Sequence, residues 1–213
     1  PKLYLAFEIL DYALLSAPGA PLKQALTDAG IGKDIMGSYD NGIYQPIFSV
    51  ISKNANADQK EVFVAKIEEV FTDLVKNGID KKALEAGINY QEFRYREADF
   101  GNYPKGLMYG LQMMDSWLYD DNEPFMHIEA LDTFEFLKEQ IGTRYYEELI
   151  QKYILDNTHG AVVVVKPEKG RTAKLEKELE DKLESYKQSL SEEEQEQLVV
   201  NTKALETYQS EED

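Results

Sequence analysis

The sequence predicts an α+β fold, in which a small antiparallel sheet is flanked by helices and is followed by an α-helical hairpin. Most of the chain repeats apolar residues at helical spacing. One short region, 35–53, instead indicates two extended segments around an Asn-Gly pair. After Pro167 aromatic residues become rare and charged residues dominate. These observations predict an α+β domain over 1–166 and a helical hairpin linker over 167–213.

The first elements are predicted to be helical. Residues 3–15 carry Phe7 and three leucines at helical spacing, with further apolar residues beside them, which predicts a helix buried on much of its circumference. The proline- and glycine-rich run 16–21 ends this helix. A short helix through 22–26 follows and is expected to stop near Gly30.

The sheet is predicted from two neighbouring segments. Strands are expected over 35–39 and 44–53, joined at Asp40-Asn41-Gly42. An Asn-Gly pair supplies the positive backbone angles that a tight hairpin turn needs. Pro46 cannot donate a ladder hydrogen bond, so the second strand is either an edge at that point or begins after it.

Further helices are predicted from apolar stripes and from capping residues. The clearest helix spans 57–76, with Asn56 at its start and Gly78 at its end. Asp80 is expected to cap the next helix, which runs towards Tyr95. The remaining predictions for this domain are a helix from Pro104 through Leu118, helices near 127–141 and 143–155, and a short buried strand over 161–166.

The last segment is predicted to form two antiparallel helices with a single apolar seam. Ser191 and Glu194 have the spacing of a capping box, which starts the second helix. Such a hairpin can bury little by itself, so we expect it to lean on another body or to link larger ones. The seam consists of Leu175, Leu179, Leu183, Tyr186 and Leu190, continued by Leu198, Thr202 and Leu205.

Composition excludes several classes of function. An apolar fraction of 43% over 213 residues is that of a globular protein. A net charge of −17 disfavours binding to nucleic acids and to anionic membranes. The acidic surface either keeps the protein in solution or attracts a basic partner or peptide. The absence of cysteine excludes disulfides, thiolate zinc sites and a cysteine nucleophile, and is compatible with a reducing compartment.

The sequence also carries no recognisable leader or membrane span. The longest aliphatic run, 161–165, is far too short to cross a bilayer. The first residues lack the basic start and the cleavage site of a signal peptide. The chain begins without methionine, as a processed product or an excised fragment would.

No catalytic or metal-binding motif is present. The two histidines, His127 and His159, form neither His-x-x-Glu-His nor His-Glu-x-x-His, the motifs that hold zinc on one helical face. Neither Gly-x-Ser-x-Gly nor Ser-x-x-Lys occurs. We therefore predict no catalytic residue, no metal ligand and no cofactor in this chain.

The segment 89–107 is the one conspicuous cluster of aromatic, arginine and carboxylate residues, and two interpretations stay open. Its charged residues could form an ion network that fixes the turn over 99–103. Alternatively, its arginines and aromatic rings line a cavity and contact an extended peptide, because both offer planar apolar area with a polar end. The candidate substrate-binding residues are Arg94, Tyr95, Arg96, Phe100 and Tyr103.

Several segments, in order along the chain, resemble landmarks of the presequence-protease-like zinc peptidases within the insulinase and pitrilysin superfamily. The first is similar to the loop after the first helix of the family's second domain. The last is similar to the hairpin that joins the two halves of the enzyme. The segments are 14–22, Gln45-Pro46-Ile47-Phe48, 89–107 with its Tyr103-Pro104-Lys105-Gly106-Leu107, Trp117-Leu118-Tyr119-Asp120, and 189–194.

The resemblance implies that the chain is the second insulinase-type domain plus linker of a chambered zinc metalloendopeptidase. Such an enzyme has four related α+β domains and degrades unstructured peptides, with zinc held in its first domain by an inverted His-x-x-Glu-His motif and a distal glutamate. The implied partners are the remaining domains of the parent peptidase and a peptide substrate. This chain alone is predicted to be inactive, and the expected compartment is the cytoplasm, with the mitochondrial matrix as the alternative.

One departure and one alternative accompany the resemblance. Domains of this family open with a strand, whereas this sequence starts almost at the first helix, at Pro1-Lys2. An opening strand is therefore expected to be lacking, which leaves a sheet edge unpaired and invites a dimer through that edge. The alternative function is a scaffold or interaction subunit of the same fold without peptidase activity, and an intact or degenerate zinc motif in the parent reading frame would discriminate the two.

Overall fold

The computed structural model describes residues 2–211, and it divides into two compact units. The first unit ends at Val164 and the second begins at Val165. The first combines helices with a two-stranded antiparallel sheet, and the second contains two helices. The predicted α+β class is confirmed.

The first helices follow the apolar pattern of the sequence. Helix α1 (Lys2–Asp11) continues as a π-helical turn (Tyr12–Ser16), and α2 (Pro21–Asp28) begins with proline, whose fixed φ suits the first helical turn. Gly30 follows α2 with a φ of +68°, a conformation that glycine adopts without strain. Both predicted helices are confirmed. Their fully buried side chains are Ala6, Ile9, Leu10, Leu14, Leu15, Leu22 and Leu26.

The two strands, β1 (Asp34–Asp40) and β2 (Ile47–Lys53), pair antiparallel from Asp34 opposite Lys53 to Asp40 opposite Ile47. The second strand begins directly after Pro46. This is one of the two alternatives predicted for this proline, which cannot donate a ladder hydrogen bond. The predicted tight Asn-Gly turn is wrong, because the connection runs over 41–46. A tertiary contact accounts for the longer connection, because the Asn41 side chain donates a hydrogen bond of 2.9 Å to Glu8 Oε1 on α1.

The sheet packs closely on the first helix. The ring of Phe7 stacks on Tyr39 of β1 at 5.5 Å and meets Phe48 of β2 edge-on at 6.2 Å. A Cβ at Gly37 would overlap the Asp11 carboxylate and lie 2.6 Å from Leu15 Cδ1. The close approach of β1 to α1 therefore requires glycine at this position.

The prediction that the domain lacks an opening strand concerns the residues before α1. Lys2, where the description of the chain starts, already belongs to α1, whereas Pro1 lies outside the described residues. Within the described part of the chain the sheet consists of β1 and β2. A dimer through its edge stays a prediction.

Two of the remaining helical segments of the first unit begin at capping side chains. Asn56 and Gln59 form a capping box on a 3₁₀ turn (Ala57–Gln59), and Asp80 accepts a 2.9 Å hydrogen bond from the Lys82 N–H. Pro104 precedes its helix by one residue rather than opening it. The helices are α3 (Lys60–Asn77), α4 (Lys81–Glu97), α5 (Lys105–Trp117), α6 (Leu131–Glu139) and α7 (Tyr145–Ile150), which continues as a π-helical turn (Gln151–Leu155).

Two predicted elements differ from the structure. The helix predicted over 127–141 begins only at Leu131, because Ile128 and Ala130 bond to a tyrosine of α4. The buried strand predicted over 161–166 is wrong, since the run adopts no strand and is exposed, Val163 by 80% and Val165 by 88%. Valine content alone does not form a strand without a neighbouring strand to accept its hydrogen bonds.

The second unit contains α8 (Arg171–Ser189) and α9 (Glu192–Ser210). The predicted capping box is confirmed, because Ser191 Oγ accepts from the Glu194 N–H at 3.2 Å while Glu194 Oε2 accepts from the Ser191 N–H at 2.8 Å. The predicted seam residues are about half exposed or more, with the exception of Leu190, so the two helices do not close an apolar core between them. No helix of the described residues has both the length and the apolar composition to cross a membrane.

Candidate functional site

The first unit contains a cleft of about 200 Å³ between α1, α4, α5 and the segment 126–130. We call it the α1–α5 cleft. Its lining combines aromatic rings with polar and charged side chains. Its aromatic and charged lining residues include Tyr4, Glu8, Arg94, Phe100, Tyr109, Asp115 and His127.

Helical spacing brings these side chains together. Tyr4 and Glu8 lie one turn apart on α1, and Tyr109, Gln112 and Asp115 follow one another at intervals of three residues on α5. Residues three or four apart share one face of a helix, so each helix presents an aromatic ring and a carboxylate to the same cleft. Arg94 comes from the last turn of α4, where cations also interact favourably with the helix dipole.

Glu8 is a partly buried carboxylate with one hydrogen-bond donor, the Asn41 amide at 2.9 Å. Burial raises the pKa of Glu8 to about 7, because desolvation disfavours the charged form. The Asn41 hydrogen bond and the positive charge of Arg94 act in the opposite direction, and the nearby Asp11 adds to the increase. Glu8 therefore exchanges its proton near neutral pH.

Asp115 and His127 form a second polar pair in the cleft. Burial raises the pKa of Asp115, against the opposing effect of His127, and the charge of Asp40 raises it further. Burial also lowers the pKa of His127, while Asp115 acts to raise it. The imidazole lies 5.1 Å from the ring of Tyr4, and its buried Nε2 has no hydrogen-bond partner among the described residues.

The structure divides the five candidate residues of the sequence. Arg94, Tyr95 and Phe100 line the α1–α5 cleft. Arg96 and Tyr103 are not among its lining residues, and Tyr103 is largely exposed. A substrate-binding role for any of the five stays a prediction.

Arg96 belongs to an ion network between α4 and α6. Its guanidinium donates from Nε at 2.8 Å and from an Nη at 2.6 Å to Glu92 Oε1, and Lys138 lies 2.6 Å from Glu92 Oε2. These contacts, led by the Lys138 hydrogen bond, lower the pKa of the nearly buried Glu92. The network joins α4 to α6, which differs from the predicted network at the 99–103 turn.

Tyr95 holds one wall of the cleft in place. Its hydroxyl donates to the Ile128 carbonyl and accepts a 2.8 Å hydrogen bond from the Ala130 N–H. Its ring packs edge-on against Phe134 at 5.6 Å. These contacts fix the segment that carries His127 into the cleft.

Replacing Tyr95 with phenylalanine is expected to lower the free energy of unfolding by about 1–2 kcal/mol, since it leaves the Ile128 carbonyl and the Ala130 N–H without their partner. Chemical denaturation measures this loss, and amide exchange should show faster exchange at Ala130. Tyr103→Phe is the matched control, because the exposed Tyr103 should change stability by less than about 0.5 kcal/mol. Equal effects of the two substitutions would contradict this role of Tyr95.

No motif in the sequence pointed to Glu8 or Asp115 as site residues. A signal for Glu8 was present, because it is a single carboxylate between Phe7 and Ile9 in a helix predicted to be buried on most sides. Asp115 carried no comparable signal among the many carboxylates of the chain. Among the described residues, no group of histidine, aspartate and glutamate side chains is arranged to hold a metal ion.

Comparison with known proteins identifies relatives across nearly the whole chain. The chain is 45% identical to Protein HypA of Clostridium perfringens over 206 residues, which cover 97% of this chain and 21% of that protein. It is 30% identical to presequence protease 1, chloroplastic/mitochondrial, of Arabidopsis thaliana over 210 residues, covering 94% and 19%. It is 26% identical to the mitochondrial presequence protease of Danio rerio over 192 residues, covering 87% and 18%. No protein-family model matches the chain.

These alignments relate the chain to one segment of larger proteins. The chain spans about a fifth of the length of the curated relatives that it matches. It is homologous to that segment of the presequence proteases, while the name HypA specifies no function.

Proposed function

We propose that this chain is a non-catalytic part of a zinc metalloendopeptidase of the presequence-protease type, where it forms part of the chamber wall and contacts unstructured peptide substrates. The observation that carries the proposal is the similarity to presequence proteases over most of the chain. In this proposal the other domains of the parent protein are its partners, and zinc is bound in the first of them.

The α1–α5 cleft is the proposed contact with peptide. It lies in the unit that carries the sheet, and it presents aromatic rings beside polar side chains, which is the usual composition of a site that orients a ligand. Arg94 and Phe100 are the residues from the predicted set that we assign to this contact, with Tyr95 holding the wall behind them. We place the chain in the cytoplasm, with the mitochondrial matrix as the alternative that the names of several relatives favour.

The proposal is tested by incubating the purified chain with a long unstructured peptide that carries photoreactive groups. Zinc is added, with and without a chelator, and mass spectrometry is used to identify both cleavage products and cross-links. We expect no cleavage, together with cross-links at residues that line the cleft, such as Phe100 and Tyr109. Cross-links on α9 report non-specific contact and serve as the internal control.

Two outcomes would contradict the proposal. Chelator-sensitive cleavage that scales with the amount of protein would mean that the chain carries its own metal site. An intact chain that neither cuts nor cross-links peptide would favour the alternative, a scaffold of the same fold that holds other domains and meets no substrate.

A further inference from the structure

We propose that the α1–α5 cleft is a subsite for a cationic side chain, the guanidinium of arginine or the ammonium of lysine, of a bound peptide. This inference rests on the proposed function, because the ligand is a residue of the peptide that the chain contacts. It adds a chemical preference, and it names Glu8 and Asp115 as the groups that recognise the cation.

The charges of the cleft favour a cation. Glu8 on α1 and Asp115 on α5 line the cleft, and so does Asp99, which follows the end of α4. None of these three carboxylates takes part in an ion pair among the described residues. Among the described residues that line the cleft, Arg94 is the one lysine or arginine, against the three carboxylates of Glu8, Asp99 and Asp115. A partly buried carboxylate that forms no ion pair gains from a charged hydrogen-bond donor.

The groups around the carboxylates also suit a guanidinium. Arg94 does not form an ion pair with Glu8, and its guanidinium instead lies 5.7 Å from the ring centre of Tyr90. The rings of Phe100 and Tyr109 meet edge-on at 5.3 Å, and the lining presents both with Tyr4. Planar cations pack favourably against aromatic rings.

The size of the cleft selects a side chain over a larger ligand. Pockets for drug-sized molecules and cofactors span roughly 300–1,000 Å³, whereas this cleft holds about 200 Å³. An anion of the same size would lie against Glu8 and Asp115, which would repel it. The net charge of −17 acts in the same sense, because it concentrates cations near the surface.

Binding of a cation to the cleft is coupled to the ionisation of Glu8. Glu8 must be ionised to hold a cation, and burial raises its pKa to about 7. The pKa of Glu8 is lowered by the Asn41 hydrogen bond and by the charge of Arg94, and it is raised by the charge of Asp11. Tyr39 of β1 also lies close enough for its hydroxyl to interact with the charge of Glu8. Affinity for a cationic side chain should therefore increase as the pH rises through neutrality, the opposite of what a site for a carboxylate would show.

The test uses the full chain and a pair of short glycine–serine peptides. One peptide carries a single arginine, and the other carries citrulline, which has the same shape and no charge. Binding is measured by fluorescence anisotropy for the wild type and for Glu8→Gln and Asp115→Asn. Glu85→Gln is the matched control, because Glu85 is exposed on α4 and does not line the cleft. Thermal melting of each variant confirms that it is folded.

We expect the arginine peptide to bind about tenfold more tightly than the citrulline peptide, since hydrogen bonds to charged groups are the strong ones. Glu8→Gln and Asp115→Asn should each remove most of this preference, whereas Glu85→Gln should keep it. Equal binding of the two peptides would overturn the cationic subsite and leave the peptide contact standing. Binding of neither peptide would overturn the peptide contact itself.

Discussion

Replacing Glu8 with glutamine is expected to stabilise the protein by about 2 kcal/mol at about pH 8. Burial raises the pKa of Glu8 from 4.5 to about 7, so above pH 7 the folded protein carries an ionised carboxylate that its surroundings disfavour. Glutamine has the same shape, carries no charge and still offers an oxygen to the Asn41 amide. The full shift would correspond to roughly 3 kcal/mol, and partial exposure of Glu8 reduces this value.

The sign of the pH dependence follows from proton binding. Between pH 4.5 and about 7 the folded state keeps the proton on Glu8 and the unfolded state has lost it, so the contribution of Glu8 to stability falls as the pH rises. Below pH 4.5 both states are protonated, and the two proteins should be equally stable. Asp11 and Asp115, whose pKa values burial also raises, remain in both proteins, so the difference isolates Glu8.

Urea denaturation of both proteins over a series of pH values measures the difference. The advantage of Glu8→Gln should grow from nothing in acid to its full value above neutral pH. Glu85→Gln on the exposed face of α4 should stay within about 0.5 kcal/mol of the wild type throughout. A difference that is independent of pH, or a wild type that is more stable in alkali, would show that Glu8 is not desolvated.

Replacing Phe134 with alanine is expected to lower the free energy of unfolding by about 3–5 kcal/mol. Phe134 is 1% exposed on α6, packs against Tyr95 at 5.6 Å and lines the α1–α5 cleft from within. Removing the ring deletes its buried surface and leaves a void that its neighbours fill only partly. A typical domain is stable by about 5–15 kcal/mol, so this substitution removes a large part of the total.

Thermal and chemical denaturation measure the effect, with an expected decrease in melting temperature on the order of 10 °C. Phe93→Ala is the control, because Phe93 lies on α4 and is 62% exposed. The same chemical change there should cost less than about 1 kcal/mol, given how little of its ring is buried. Similar losses at both positions would mean that the ring of Phe134 is not buried in the core.

Local signals were sufficient to predict most helices and both strands. Apolar residues at helical spacing marked α1 and α3, and Asp80 and Ser191 were recognised as caps because a cap depends only on residues within one turn. The predictions that failed all concern features that depend on tertiary contacts. The run over 161–166 has the composition of a strand, yet pairing depends on a distant partner.

The same division applies to the site. Arg94, Tyr95 and Phe100, which line the cleft, were singled out because aromatic and arginine residues are dense in one short segment, and their binding role stays a prediction. Glu8 and Asp115 were missed because a carboxylate becomes unusual only through the surroundings that desolvate it. Those surroundings come from α1, α4 and α5 together, and no window of sequence contains all three.

The exposed run over 161–165 has a consequence for the behaviour of the protein at high concentration. Five uncharged residues, four of them valine, match the composition of segments that stack into cross-β fibrils when they are accessible. Lys166 and Pro167 follow immediately, and a charge and a proline beside such a run are gatekeepers that oppose stacking. Lys166 and Pro167 therefore add a local barrier to stacking at this run, beside the repulsion that the net charge of −17 provides for the whole chain.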